Sequence, residues 1–528
     1  MLDWIIRNAT VVDGVQGEFQ ADVAIEGDKI AAVLPVGASV EAAHTLDASG
    51  LVLTPGTIDI HRHADLMPVL DQPWSELPQG LTTMISGNCG FSPVPNAPDT
   101  FEAVREYALP ILGRIPDWVC GKTTGQFYDE MEKRPLKINC GYLVGNGDLR
   151  RSVTGFSDAP LTAVQLDAIC GKLDEALCDG AMGLSMGIMY TPECYYNTDE
   201  LSRVAAVAAK HGRPVTSHIR GEGRSVVASV DEMIEIGKRS GAHIHISHMK
   251  AAGTDMWGHA VNVMLDHIDR ARREGLEISF DAYPYTAGST TLLSLFPPET
   301  LAQGTEGVLK QIADPKGRAY ILSQFAVQRE GWDNFIQTLG WGRVIVSGSS
   351  NKEEVGKTIQ ELADQTGCGP GEYALDLLAR EKGCVPTVLE EMAPDDVRKI
   401  LTRPDCIVIS DSLYSAAGMP HPRKYGAFQR FLCQYVKEEK ALTRQQAIAK
   451  MTCMPARLFG LEKRGRVLEG YYADLTLMDW DKLRDRATYT DPIQDSEGVT
   501  HVFVNGQLAF ADKQATSCAA GRLLRCRA

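Results

Sequence analysis

The stretch Thr57-Ile58-Asp59-Ile60-His61-Arg62-His63 is an apolar run that ends in two histidines one residue apart. If the run is a strand that continues through both, its period of two puts His61 and His63 on one face, where two neutral imidazoles can reach a single metal ion. Arg62 then points the other way. His-x-His alone is equally the mark of two surface histidines. Further donors, however, follow other strand-like runs: Cys89 after Thr82 to Ser86, His218 after Pro214 to Ser217, His248 after His243 to Ser247, and Asp411 after Cys406 to Ser410. Thiolate, imidazole and carboxylate are what divalent zinc accepts, and six such groups are enough for two ions that share a bridge. Singly, Cys89 reads as an inert buried thiol and Asp411 as a helix cap. Six donors at the ends of strands are not explained that way.

The elements that must position these residues are legible as well. Strand-like runs at Thr57 to Ile60, Thr82 to Ser86, Ile138 to Val144, Ala181 to Ser185, Pro214 to Ser217, His243 to Ser247, Glu277 to Ala282 and Cys406 to Ser410 alternate with helical patterns. The clearest helices are Thr162 to Cys178, Thr198 to His211, Gly223 to Arg239 and Ala260 to Glu274. Eight strands alternating with helices indicate a (β/α)8 barrel of the α/β class, whose active site belongs at the carboxyl ends of the strands. Residues 55–461 are the expected catalytic barrel, and 286–404, between the seventh and eighth strands, an inserted subdomain or lid. Short strands punctuated by Asp-Gly and Gly-Asp at the N-terminus, with Asp474 to Met478 and His501 to Val504 before the turn Asn505-Gly506, indicate a small discontinuous β domain from 1–54 plus 462–528. His243 and His245 alternate with the residues that share a face with Ile244, Ile246 and His248, and read as structural.

Composition narrows the function class. With a net charge of -15 and no long basic run, nucleic acid and anionic membranes are poor partners, and a small-molecule substrate is expected. No apolar stretch approaches the roughly 20 residues needed to cross a bilayer. The 13 cysteines form no Cys-x-x-Cys pair and the first residues show no export signal, so the expectation is a cytoplasmic protein with reduced thiols. Composition assigns no oligomeric state.

At this point the motifs resemble a family. Pro55 to His63 looks like the opening barrel motif of the amidohydrolase superfamily. More narrowly, Gly80-Leu81-Thr82-Thr83 with Gly87-Asn88-Cys89-Gly90, Ser217 to Glu222, Ser247-His248-Met249-Lys250, Asp281 to Thr290, Ser410-Asp411-Ser412 and His421-Pro422-Arg423 are similar to the N-acyl-D-amino-acid deacylases, or D-aminoacylases. The resemblance implies a zinc site in which Cys89, His218 and His248 hold a tight ion, while His61, His63 and Asp411 form a weaker second site. It also implies hydrolysis of N-acyl-D-amino acids, with Asp411 as the base that takes a proton from water and returns it to the leaving amine. Lys250 and Arg423, with Tyr283 or Tyr285 as hydroxyl donor, are implied to hold the substrate carboxylate, arginine being suited by its planar fork. The chain departs from the family pattern at Arg62, where a small residue is usual, and at Asn146, where a histidine is expected. The competing readings are a cyclic-amide hydrolase of the hydantoinase or dihydroorotase kind, a non-catalytic interaction protein on the same fold, and a closed structural zinc site. Six donors on an open rim fit the last poorly.

Overall fold

The computed structural model describes residues 1–68, 75–329, 331–414 and 418–526. The barrel strands are Thr57–Asp59 continued by Arg62–His63, Leu81–Ser86, Asn139–Tyr142 continued by Val144–Gly145, Leu184–Gly187, Val215–His218, Ile244–Ile246, Ile278–Ala282, and Cys406–Val408 continued by Ser412–Leu413. All neighbouring pairs are parallel. Nearly every residue in these strands is buried, as expected of parallel strands covered on both faces, which is why they read as continuous apolar runs rather than alternating ones. The outer helices start where the sequence supplies caps. Thr162 with Gln165 and Asn197 with Glu200 form capping boxes before the helices Ala163–Cys178 and Thr198–Lys210.

The barrel is irregular at two seams. The first strand breaks at Ile60 and His61, so the run through both histidines expected from the sequence is two short strands rather than one. Its second piece closes the barrel by pairing Arg62 with Ser412 and His63 with Leu413. The other seam lies between the third and fourth strands. Here the C-terminal tail enters: Cys140 donates to the Arg522 carbonyl at 2.9 Å, Leu524 to Cys140 at 2.7 Å, and Cys526 to Gly180 at 2.9 Å. Past this wedge the two strands meet directly, through Met182 to Tyr142 at 2.8 Å and Val144 to Gly183 at 3.0 Å. The tail delays the fourth strand, which begins at Leu184 and runs to Gly187 instead of covering Ala181 to Ser185. That shift aims Met189 and Tyr190 at the rim.

The two ends of the chain share one nine-stranded sheet, in which Val52–Pro55 lies between Leu2–Val12 and Leu475–Met478. Between the seventh and eighth barrel strands, Ala287–Thr291, Pro386–Glu390 and Val344–Val346 form a separate antiparallel sheet, accompanied by helices. This insert contributes Leu389 and Glu391, from the end of the sheet, and Phe335, from the helix Phe335–Leu339, to the wall of a cavity over the carboxyl ends of the barrel strands.

Candidate metal centre and active site

The ends of five strands deliver the donors. Cys89, His248 and Asp411 all have positive φ, at 53°, 35° and 50°. Such backbone is uncommon for residues other than glycine, and its cost persists only where the surroundings impose it. The three side chains point inward as a result. Cys89 Sγ lies 3.3 Å from His61 Nε2 and 3.4 Å from His248 Nε2. His218 Nδ1 is 3.0 Å from His248 Nε2. Asp411 Oδ1 is 3.4 Å from His61 Nε2 and 3.5 Å from His63 Nε2. The structure thus gathers all six sequence-predicted donors in overlapping buried groups: His61 with Cys89 and His248, His61 with His63 and Asp411, and His218 with Glu222 and His248.

These residues fit zinc. Bonds of about 2.0–2.3 Å to a tetrahedral ion put its donor atoms roughly 3.3–3.8 Å apart, which is close to the spacings of this cluster. The donors are a thiolate, imidazoles and a carboxylate, and the His63 Nδ1 atom is buried without a hydrogen-bond partner. Burial raises the Cys89 thiol, but His61 and His248 beside it overcome this and hold it well below its ordinary value. Burial likewise opposes ionisation of Asp411, and Arg423 and His61 together hold it well below the usual carboxylate range. Both groups are ligands in their charged forms.

A second layer of polar residues supports the first. His248 Nδ1 faces Glu222 Oε1 at 3.1 Å, and the same oxygen accepts from Lys250 Nζ at 2.7 Å. Asp281 Oδ2 lies 3.7 Å from His61 Nδ1 and 2.9 Å from His245 Nε2. His245 is therefore structural in the sense expected, but it acts on the cluster through Asp281. Asp281, Glu222 and Glu391 are the residues that strand-end reasoning passed over. Asp281 carried the relevant signal, an acid near the end of the seventh strand, and Glu222 stands four residues after His218; Glu391, just past the inserted strand Pro386–Glu390, carried none.

The residues assigned to the substrate carboxylate divide. Lys250 and Tyr283 line the cavity, and the Tyr283 hydroxyl is buried without a partner. Arg423 lies behind them, with Nη1 2.9 Å from Asp411 Oδ2 and its guanidinium 4.7 Å from the centre of the Tyr283 ring. Tyr285 is outside the cavity lining; its ring packs on His421 at 5.1 Å, and His421 accepts the Arg423 backbone N–H at 3.1 Å. Asn146 donates to Glu193 at 2.8 Å and does not line the cavity. Arg62 turns away from the histidines on either side, into a buried network described below.

A barrel with such a rim defines an amidohydrolase, and comparison with known proteins agrees: the model described as "Amidohydrolase family" matches residues 406–510. The chain is 35% identical to the N-acyl-D-glutamate deacylase of Alcaligenes xylosoxydans xylosoxydans, over 99% of this chain and 96% of that one. The crystal structure of N-acyl-D-glutamate deacylase from Bordetella bronchiseptica, complexed with zinc and a phosphonate inhibitor, superposes with a TM-score of 0.85 at 32% identity, covering 99% of both chains. A D-aminoacylase structure, described for its binuclear metal centre, gives 0.82 at 29% identity, over 99% of this chain and 100% of the other. The chain belongs to the N-acyl-D-amino-acid deacylase family of amidohydrolases.

Proposed function

We propose that the chain hydrolyses the amide bond of N-acyl-D-amino acids, releasing a carboxylate and a free D-amino acid, with zinc as its metal. The observation that carries this is the gathering of Cys89, His61, His63, His218, His248 and Asp411 in overlapping buried groups, in a chain that aligns end to end with an N-acyl-D-glutamate deacylase. These six residues would hold the metal, one ion tightly and a second more weakly. Zinc bound there acidifies water to a pKa of about 7 and polarises the amide carbonyl.

The chain's own residues supply the rest. Asp411, kept ionised by Arg423 and the histidines, accepts the proton of the attacking water and passes it to the leaving nitrogen. Arg423 fixes one of its oxygens at 2.9 Å, so that the other stays directed at His61 and His63. Lys250 and the free Tyr283 hydroxyl receive the α-carboxylate of the substrate, with Arg423 behind them. Tyr285 serves as a positioning residue through His421. The small-molecule substrate enters from solvent beneath the inserted sheet. All 13 cysteines are free, which supports a reducing, cytoplasmic setting, and among the described residues no helix is long and apolar enough to cross a membrane.

The test is amine release from matched N-acetyl-D- and N-acetyl-L-amino acids, with zinc content determined on the same preparation. Release from the D series alone, lost on chelation and restored by zinc, is the expected result. Absence of release from zinc-loaded protein would defeat the reading.

A further inference from the structure

Two cavities adjoin above the donor cluster. Met189, Tyr190 and Phe335 line both the inner and the outer one. Away from the polar cluster, the inner wall is made by Phe91, Ile111 and Leu389. Among the described residues, the linings of the two cavities contain two permanent cations, Lys250 and Arg220. Lys250, paired with Glu222 Oε1 at 2.7 Å, belongs to the polar end, where the proposed reaction places the α-carboxylate.

Arg220 is already committed. Its Nε and Nη2 donate to the two oxygens of Glu232, each at 2.8 Å, and Nη1 and Nη2 donate to the Cys194 and Tyr196 carbonyls, each at 2.9 Å. Arg151, beyond the Phe91 ring, is similarly held by Asp148 and the Thr191 carbonyl, each at 2.8 Å. Glu222 and Glu391 add acids to the inner lining.

We propose, resting on the deacylase reading, that the substrate carries a single carboxylate and that its amino-acid side chain is apolar, aromatic or branched aliphatic, in contrast to the D-glutamate named for the relatives. A second carboxylate would leave water for a wall without a free counter-charge, among the costliest groups to bury. An apolar side chain removes its own surface and that of the wall from water.

The experiment compares kcat/KM for N-acetyl-D-leucine, N-acetyl-D-methionine and N-acetyl-D-phenylalanine with the D-glutamate and D-aspartate derivatives, using the zinc-loaded protein and a constant acetyl group. A preference of at least about 100-fold for the apolar set is expected. Turnover of N-acetyl-D-glutamate at an equal or better rate overturns the inference and leaves the deacylase intact; failure of every D derivative overturns both. Met189→Arg, checked for folding by its thermal transition, places a guanidinium on the shared wall and is expected to raise the glutamate-to-leucine ratio about 10-fold or more. Leu389→Ala, a milder change, should lower kcat/KM for the phenylalanine derivative about 10-fold while N-acetyl-D-alanine stays within about 3-fold. Unchanged ratios in both folded variants would remove this wall as the side-chain site.

Discussion

Arg62 and the histidines on either side of it occupy consecutive positions, yet they enter opposite kinds of environment. Arg62 is fully buried and meets Asp59 at 3.0 Å, Glu76 at 2.9 Å, Ser410 at 3.3 Å and the Tyr414 hydroxyl at 2.7 Å. Asp59 in turn accepts from the Ser410 hydroxyl, so the network joins the first barrel strand to the eighth. On the opposite face, His61 and His63 meet the Cys89 thiol and the Asp411 carboxylate through their Nε2 atoms. Both faces bury charge and polar groups. One pairs a cation with carboxylates, whereas the other gathers groups whose types and spacing fit a metal ion. Charge pairing on one face and a metal-ligand set on the other, rather than burial, separate the seam from the site.

The sharpest way to break this distinction is Asp411→Asn. Turnover is expected to fall by about 10²–10⁴-fold while metal analysis still finds zinc on Cys89, His218 and His248. Undiminished kcat would take Asp411 out of proton transfer. Arg423→Ala comes next. Because Arg423 both holds Asp411 and backs the carboxylate site, kcat should fall and KM should rise together, for a loss of about 100-fold in kcat/KM. A change confined to KM would mean that Asp411 does not depend on it.

The seam should answer differently. Arg62→Met leaves Asp59 and Glu76 buried without their cation, and urea unfolding is expected to show a loss of about 3–5 kcal/mol. Zinc content and kcat of the folded fraction should change little. Loss of zinc without loss of stability would erase the contrast between the two faces.

The smallest effect concerns Glu391. Burial raises its carboxyl, and although Lys250 opposes this, Glu222 adds to it, leaving the group near a pKa of about 7. The charged groups facing it are Lys250, Glu222, His248 and Arg423, with Tyr283 close by. Below pH 7 Glu391 is neutral and tolerates a substrate carboxylate; above it, the anion repels one. KM should therefore rise as pH increases through 7, by a few fold, and Glu391→Gln should flatten that rise. A pH-independent KM in the parent chain would place Glu391 away from the carboxylate.

Much of this was legible in the residues. Parallel barrel strands leave continuous apolar runs, and donors at their ends stand out because a barrel collects all carboxyl ends on one rim. For the same reason Cys89, His218, His248 and Asp411 could be picked without coordinates. The break at Ile60 and His61 was not legible, since it depends on pairing with Ser412 and Leu413, some 350 residues away. The late start of the fourth strand was hidden too, because the C-terminal tail takes the hydrogen bonds of Cys140 that an unbroken barrel would give to its neighbour.

The sequence by itself determined the barrel and the set of groups able to hold zinc, because residue type and strand period suffice for these, and its motifs carried the resemblance to the family. Only the tertiary structure decided which charges are already spent. Whether Arg220, Arg62 or Arg423 is free depends on the distances to Glu232, Glu76 and Asp411, and charge pairing at short range is a property of the folded arrangement that no spacing along the chain expresses.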